Sequence, residues 1–154
     1  MGYSDSICDL LSNAAALHDV GKIAIPSEIV SKYGLLSNKE RSIMNKHTEY
    51  GKEILGSIDT EFMKIASEIA YEHHEHYDGS GNNKKSGEEI NMYARIVAVA
   101  DVFDALTIKR SYKEAWSIDD AVNAINQDSG KKFDPKVVEA FKNVLGSLKE
   151  NISE

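Results

Sequence analysis

MYARIVAVADVFDALTI, residues 92–108, is the stretch on which the fold turns. It contains no Gly or Pro and is apolar on nearly every side. This predicts a central buried helix. Two carboxylates, Asp101 and Asp104, sit inside that run, on a face shared with Ala94, Val97 and Ala98. A buried carboxylate must neutralise, pair with a cation or bind a metal, because leaving it unpaired in an apolar interior is costly.

Working outward, the rest of the chain also carries helical periodicity. Ile7, Leu10, Leu11, Ala14, Ala15 and His18 recur at helical spacing until Gly21 and Pro26 break the run. Ser37-Asn38-Lys39-Glu40 is a capping box, and the stripe Ile43, His47, Tyr50 and Ile54 follows it to Gly56. Asp59 or Thr60 opens another helix, with Phe62, Ile65, Ala66, Ile69 and His73 on one face. Asp78 to Glu89 is rich in Gly, Asn and Lys and reads as a loop; loops of that length are more often functional than idle. Ser117-Ile118-Asp119-Asp120 starts a helix closed by Gly130, and Asp134-Pro135 starts the last one. No alternating strand pattern persists. The expectation is an all-α, compact bundle of about six or seven helices in a single domain spanning 1–154, with a core from about residue 8 to 145 and a polar tail at 149–154.

Composition limits the function. The 154 residues carry 18 Lys plus Arg against 25 Asp plus Glu, a net charge of −7, which argues against a general nucleic-acid binder. The one cysteine, Cys8, cannot form an internal disulfide and suits a reducing compartment. No apolar run is long enough to span a membrane, and Met1 to Leu10 lacks the pattern of a signal peptide. A cytoplasmic protein is expected.

The polar residues on the predicted apolar faces are the main clue to chemistry. His18, His47 and His73 fall where the stripes predict burial or its edge, His74 points about 100° further round its helix, and Asp19 follows His18. A single His on such a face is normally a hydrogen-bonded core residue. Several helices each turning imidazole or carboxylate inward, with few Lys or Arg to pair them, are better explained by one shared metal centre. The donors are nitrogen and oxygen without thiolate, which suits Fe or Mn first, with Ni or Zn as alternatives. His18, Asp19, His47, His73, His74 and Asp101 are about right in number for two ions that keep positions open for water and substrate.

At this point the chain resembles the HD-GYP family, a branch of the HD-superfamily metal-dependent phosphohydrolases. The match runs from Leu17-His18-Asp19-Val20-Gly21-Lys22 through Lys46-His47-Thr48 and His73-His74-Glu75-His76-Tyr77-Asp78-Gly79-Ser80-Gly81 to Arg95–Thr107, Arg110-Ser111-Tyr112-Lys113 and Phe133-Asp134-Pro135. The resemblance implies a phosphodiesterase that hydrolyses the bacterial second messenger cyclic di-GMP to pGpG, and in some members on to GMP, through a metal-activated hydroxide. Cyclic GMP-AMP is a related candidate substrate.

By the same resemblance, the six donors above are the metal ligands, with Asp19 bridging. Lys22 approaches the scissile phosphate, and Gly81, Asp104, Arg110 and Lys113 line the substrate site. A homodimer and an upstream sensory or receiver domain in the parent are allowed. Two departures stand out. Asn82 and Asn83 occupy the positions of Tyr and Pro, in a segment about one residue short, which predicts a mobile loop over Gly79 to Gly87. No His precedes His18, whereas similar domains carry an upstream helix bearing one. A catalytically weak module that binds nucleotide or a partner protein is therefore the alternative.

Overall fold

The computed structural model describes residues 1–109 and 114–152, with side chains described through Gly146. The elements among them are α1 (Asp5–Ala15), a 3₁₀ turn (Val20–Ala24), the single-turn α2 (Ser27–Val30), α3 (Asn38–Met44), α4 (His47–Gly56), α5 (Glu61–Glu72), a second 3₁₀ turn (Gly87–Glu89), α6 (Met92–Thr107), α7 (Ile118–Gln127) and α8 (Pro135–Ile152). An isolated bridge between Ser129 and Phe133 is the one β-type pairing among the described residues. The class is all-α, as expected. Setting aside the single turn α2, the helices among the described residues number seven. Among the described residues, none is long and apolar enough to cross a membrane.

The helix starts follow the side-chain chemistry. Ser37 and Glu40 form a reciprocal capping box on α3, and Thr60 and Ser117 accept from the Met63 and Asp120 amides at the starts of α5 and α7. Asp134 accepts the Lys136 N–H at 2.8 Å ahead of Pro135.

Contacts divide the chain into two compact units, Gly2–His74 with Asn91–Val97, and Met1 with Glu75–Ile90 and Ala98–Glu154. The first unit is built on a core of Ala14, Leu55, Ala66, Ile69, Ala70 and Val97, drawn from α1, α4, α5 and the start of α6. The last turn of α5 ties down the entry to α6. Glu72 accepts the Asn91 N–H at 2.6 Å, Glu68 accepts from the Asn91 side-chain amide, and the Asn91 oxygen caps Tyr93 N–H at 2.8 Å.

In the second unit Ile90, Val99, Ile125, Phe133, Val137 and Val138 are buried, and Phe103 meets Phe141 edge-on at 5.0 Å. Its loop docks on the turn between α7 and α8 through Tyr77 N–H to Lys132 O (3.1 Å) and Asp78 N–H to Lys131 O (2.8 Å).

Three details depart from the periodicity. The stripe from Ile43 to Gly56 is two helices. The chain turns at Asn45–Lys46, where the Lys46 N–H bonds back only three residues to Ile43, and the register shifts. His47, Thr48, Gly51 and Leu55 are buried as a result, while Ile54 is exposed. α1 ends at Ala15, so His18 lies in the turn beyond the helix instead of closing its stripe. α6 is buried at Ala94, Val97, Ala98 and Val99 but half-exposed or exposed from Ala100 on, so it is a buried helix only in its first half.

Candidate metal centre

Three short elements of the first unit converge on one cluster. The turn after α1 supplies His18 and Asp19, the first residue of α4 supplies His47, and the C-terminal end of α5 supplies His73 and His74. Among the described residues, His47, His73 and His74 form one group, and His18, Asp19 and His73 another. In each group one donor atom per residue lies within 4.8 Å of the others, and His73 is common to both. Five of the six expected ligands are thus brought together. Asp101 is half-buried on the part of α6 that belongs to the second unit.

Backbone carbonyls set the imidazole tautomers. His47 Nδ1 lies 2.7 Å from Met44 O, and His73 Nδ1 lies 3.0 Å from Ala70 O. A carbonyl can only accept, so each Nδ1 carries the proton and each Nε2 presents a lone pair. Those two Nε2 atoms face each other at 3.4 Å. Asp19 Oδ1 lies 3.4 Å from His47 Nε2 and 4.0 Å from His73 Nε2; it is buried and has no hydrogen-bond partner. Three acceptors therefore point at one another with no proton between them, an arrangement that is repulsive until a cation occupies the centre.

The electrostatics agree. Burial, then the neighbouring imidazoles with His74 first, pushes His73 down to about 2. Burial and then His47 push His74 down to about 4, and burial lowers His47 against the pull of the Met44 carbonyl and Asp19. Burial by itself would raise Asp19, but hydrogen bonding to His18 and Lys22 and the Lys22 charge outweigh it and hold the carboxyl well below the usual range. Neutral imidazoles beside an ionised carboxylate are the protonation states a metal requires. Lys22 pairs with Asp19 Oδ2, a contact the sequence did not indicate, and its side chain is 40% exposed.

Of the substrate-site candidates, Gly81 is packed onto backbone. A Cβ there would stand 2.5 Å from His76 N and 2.7 Å from Glu75 Cα. Asp104 is exposed, and Arg110 and Lys113 lie outside the described residues.

The loop expected to be mobile is held at several points. The buried Glu75 accepts Asn83 N–H at 2.7 Å on one oxygen and Lys85 N–H at 3.1 Å on the other. The His76 ring bonds Ser80 Oγ at 2.8 Å, and Gly87 N–H bonds Tyr77 O at 2.8 Å. Glu75 has no periodicity signal, because its partners lie eight and ten residues on in an irregular segment.

Comparison with known proteins places this arrangement. A family model described as HD domain matches residues 1–137. The chain is 48% identical over 139 residues to 3'3'-cGAMP-specific phosphodiesterase 2 of Vibrio cholerae, covering 90% of this chain and 27% of that protein. It is 45% identical over 142 residues to the cyclic di-GMP phosphodiesterase response regulator RpfG of Xanthomonas campestris, covering 92% and 38%. It is 43% identical over 142 residues to a cyclic di-GMP phosphodiesterase of Thermotoga maritima, covering 92% and 39%. The chain therefore spans well under half the length of these curated relatives. The fold matches the crystal structure of a cyclic GMP-AMP specific phosphodiesterase of Vibrio cholerae with a TM-score of 0.63 at 21% identity, over 94% of this chain and 40% of that one. By that match over residues 1–137, with the His18-Asp19 pair, His47 and the His73-His74 pair lying in one cluster, the chain belongs to the HD domain family.

Proposed function

We propose that this chain is a single HD-GYP-type domain that hydrolyses a 3′,3′-cyclic dinucleotide, cyclic di-GMP first, to the linear dinucleotide pGpG. The observation that carries the reading is the proton-free acceptor set of Asp19 Oδ1, His47 Nε2 and His73 Nε2. The names of the relatives, cyclic di-GMP and 3'3'-cGAMP phosphodiesterases, support the substrate class.

His18, Asp19, His47, His73, His74 and Asp101 would hold a divalent metal pair, Fe or Mn by donor chemistry. Such a pair supplies an acidified water and neutralises charge on the phosphate. The chain's own residues do the rest. The carbonyl-anchored imidazoles keep their lone pairs aimed inward without a deprotonation step. The ionised Asp19 supplies the shared anion. The Lys22 ammonium, paired with Asp19 Oδ2, turns to a non-bridging phosphate oxygen and stabilises the charge that builds there in the transition state. The family resemblance is what assigns substrate contacts to Asp104, Gly81, Arg110 and Lys113. Cytoplasmic placement, a homodimer and an upstream sensory or receiver domain belong to the same reading.

Asn82 and Asn83 in place of Tyr and Pro favour one second reading, a nucleotide-binding module with weak turnover. The test is elemental analysis of protein loaded with iron or manganese, with turnover of cyclic di-GMP and 3′,3′-cGAMP measured on the same sample. Metal-dependent release of linear dinucleotide, lost in Asp19→Ala, is expected. A metal-replete protein that binds either nucleotide without cleaving it overturns the enzyme; a protein that takes up no metal overturns the site.

A further inference from the structure

Gly21, Gly51 and Ala70 stand where the three elements behind the cluster touch. A Cβ on Gly21 would lie 1.9 Å from the His47 carbonyl oxygen and 2.5 Å from the Gly51 amide nitrogen. A Cβ on Gly51 would lie 3.0 Å from the Ala70 Cβ. Neither glycine has a positive φ, so space alone decides what a side chain meets: a backbone overlap at Gly21, and at Gly51 a contact tight enough that the Ala70 neighbour must give by a few tenths of an ångström. The turn after α1 thus rests on the backbone of α4, and α4 rests on α5, through three of the smallest side chains available.

Each contact lies about one turn from a donor. Gly21 is three residues after His18, and Gly51 is four after His47, on the same face of α4. Ala70 is three before His73, and its carbonyl fixes the His73 tautomer. The His47 carbonyl that Gly21 abuts belongs to a donor residue itself.

We infer that Gly21, Gly51 and Ala70 are positioning residues whose close stacking sets the separation of His18 and Asp19, His47, and His73. The inference rests on the proposed metal site. Packed elements transmit a displacement instead of absorbing it. An added methyl group between α4 and α5 must therefore move His47 relative to His73 by a few tenths of an ångström. Metal–ligand distances tolerate only about 0.2 Å.

The experiment compares the wild-type full chain with Gly51→Ala, Ala70→Gly and the double variant Gly51→Ala/Ala70→Gly. Gly21→Ala is left aside because its overlap with backbone threatens folding. Two readouts are taken: Co²⁺ affinity and visible spectrum by titration, and the NOE between the His47 and His73 rings in metal-free protein. Gly51→Ala is expected to fold, to lose ring–ring NOE intensity and to bind Co²⁺ about 10- to 100-fold more weakly. The double variant, which returns the space to the interface, should recover both to within about threefold of Ala70→Gly. A merely structural role would lower the unfolding midpoint and leave the spectrum and the NOE alone. Gly51→Ala with wild-type affinity and NOE overturns the inference, as does a loss that the double variant fails to recover. Wild-type protein that takes up no Co²⁺ sinks the metal reading instead, and the NOE comparison then decides the spacing claim by itself.

Discussion

Replacing Glu75 by Gln tests whether one carboxylate organises the loop that follows the His73-His74 pair. Glu75 is 3% exposed, and its two oxygens accept backbone N–H groups from Asn83 and Lys85. Gln matches its shape but offers one acceptor oxygen, so its NH₂ must face one of those N–H groups. A hydrogen bond to a charged acceptor contributes about 1.5–3 kcal/mol, and a buried donor left without a partner costs about 1–3 kcal/mol. The two effects overlap at the same N–H, so the loop should open more easily by about 2–4 kcal/mol. At about 1.4 kcal/mol per decade, the lower end corresponds to roughly thirtyfold faster amide exchange. Amide hydrogen exchange followed by NMR reads Asn83 and Lys85 directly, while metal content measured in parallel should not change. If both amides exchange at wild-type rates in Glu75→Gln, the clip does not hold the loop and the reasoning fails. Unprotected amides in the wild type would refute it equally, and would restore the mobile loop that Asn82 and Asn83 predict.

Three further outcomes follow from the same geometry. Asp19→Ala removes the carboxylate lying between His47 and His73 and should abolish retention of both metal ions; elemental analysis showing two ions still bound would refute the shared role. Lys22→Ala, with metal at wild-type occupancy, should lower kcat by roughly ten- to a thousandfold, and a change confined to KM would make Lys22 a ground-state contact only. The metal-free protein should lose stability on acidification. Unfolded imidazoles protonate near pH 6.5, whereas native His73 resists to about 2 and His74 to about 4, so the unfolded chain binds more protons below that point. Stability is fullest above about pH 6.5 and falls steadily below it, by about 2 kcal/mol for each of these two imidazoles at pH 5, in urea unfolding. An unchanged urea midpoint would refute this burial.

Much of the molecule was legible in the sequence because it depends on local rules. The capping signals at Ser37, Thr60, Ser117 and Asp134 act within three residues, and each starts the helix it predicts. The apolar periods of α1 and α5 likewise appear as helices, since burying one face needs no particular partner. The donors His18, His47 and His73 could be picked out because polar groups on apolar stripes are costly without a purpose, and Asp19 and His74 as their immediate neighbours in the motifs.

Tertiary structure decided what depends on atoms far apart in the chain. The break at Asn45–Lys46 turned α4 so that Gly51 and Leu55, not Ile54, face inward, and periodicity cannot register a change of helix axis. Gly21, read from the sequence as a helix breaker, proved to be the only residue small enough to meet the His47 carbonyl, a contact 26 residues along the chain. Glu75 carried no signal in the sequence beyond its place in the motif, and only the fold closes its carboxylate over two backbone amides. The lone pairs aimed at one another across His47, His73 and Asp19 are the clearest case. The sequence supplied the donor types, but only the fold could bring them within 3.4–4.0 Å and bury them, where an imidazolium is disfavoured and the lone pairs stay aimed at one another.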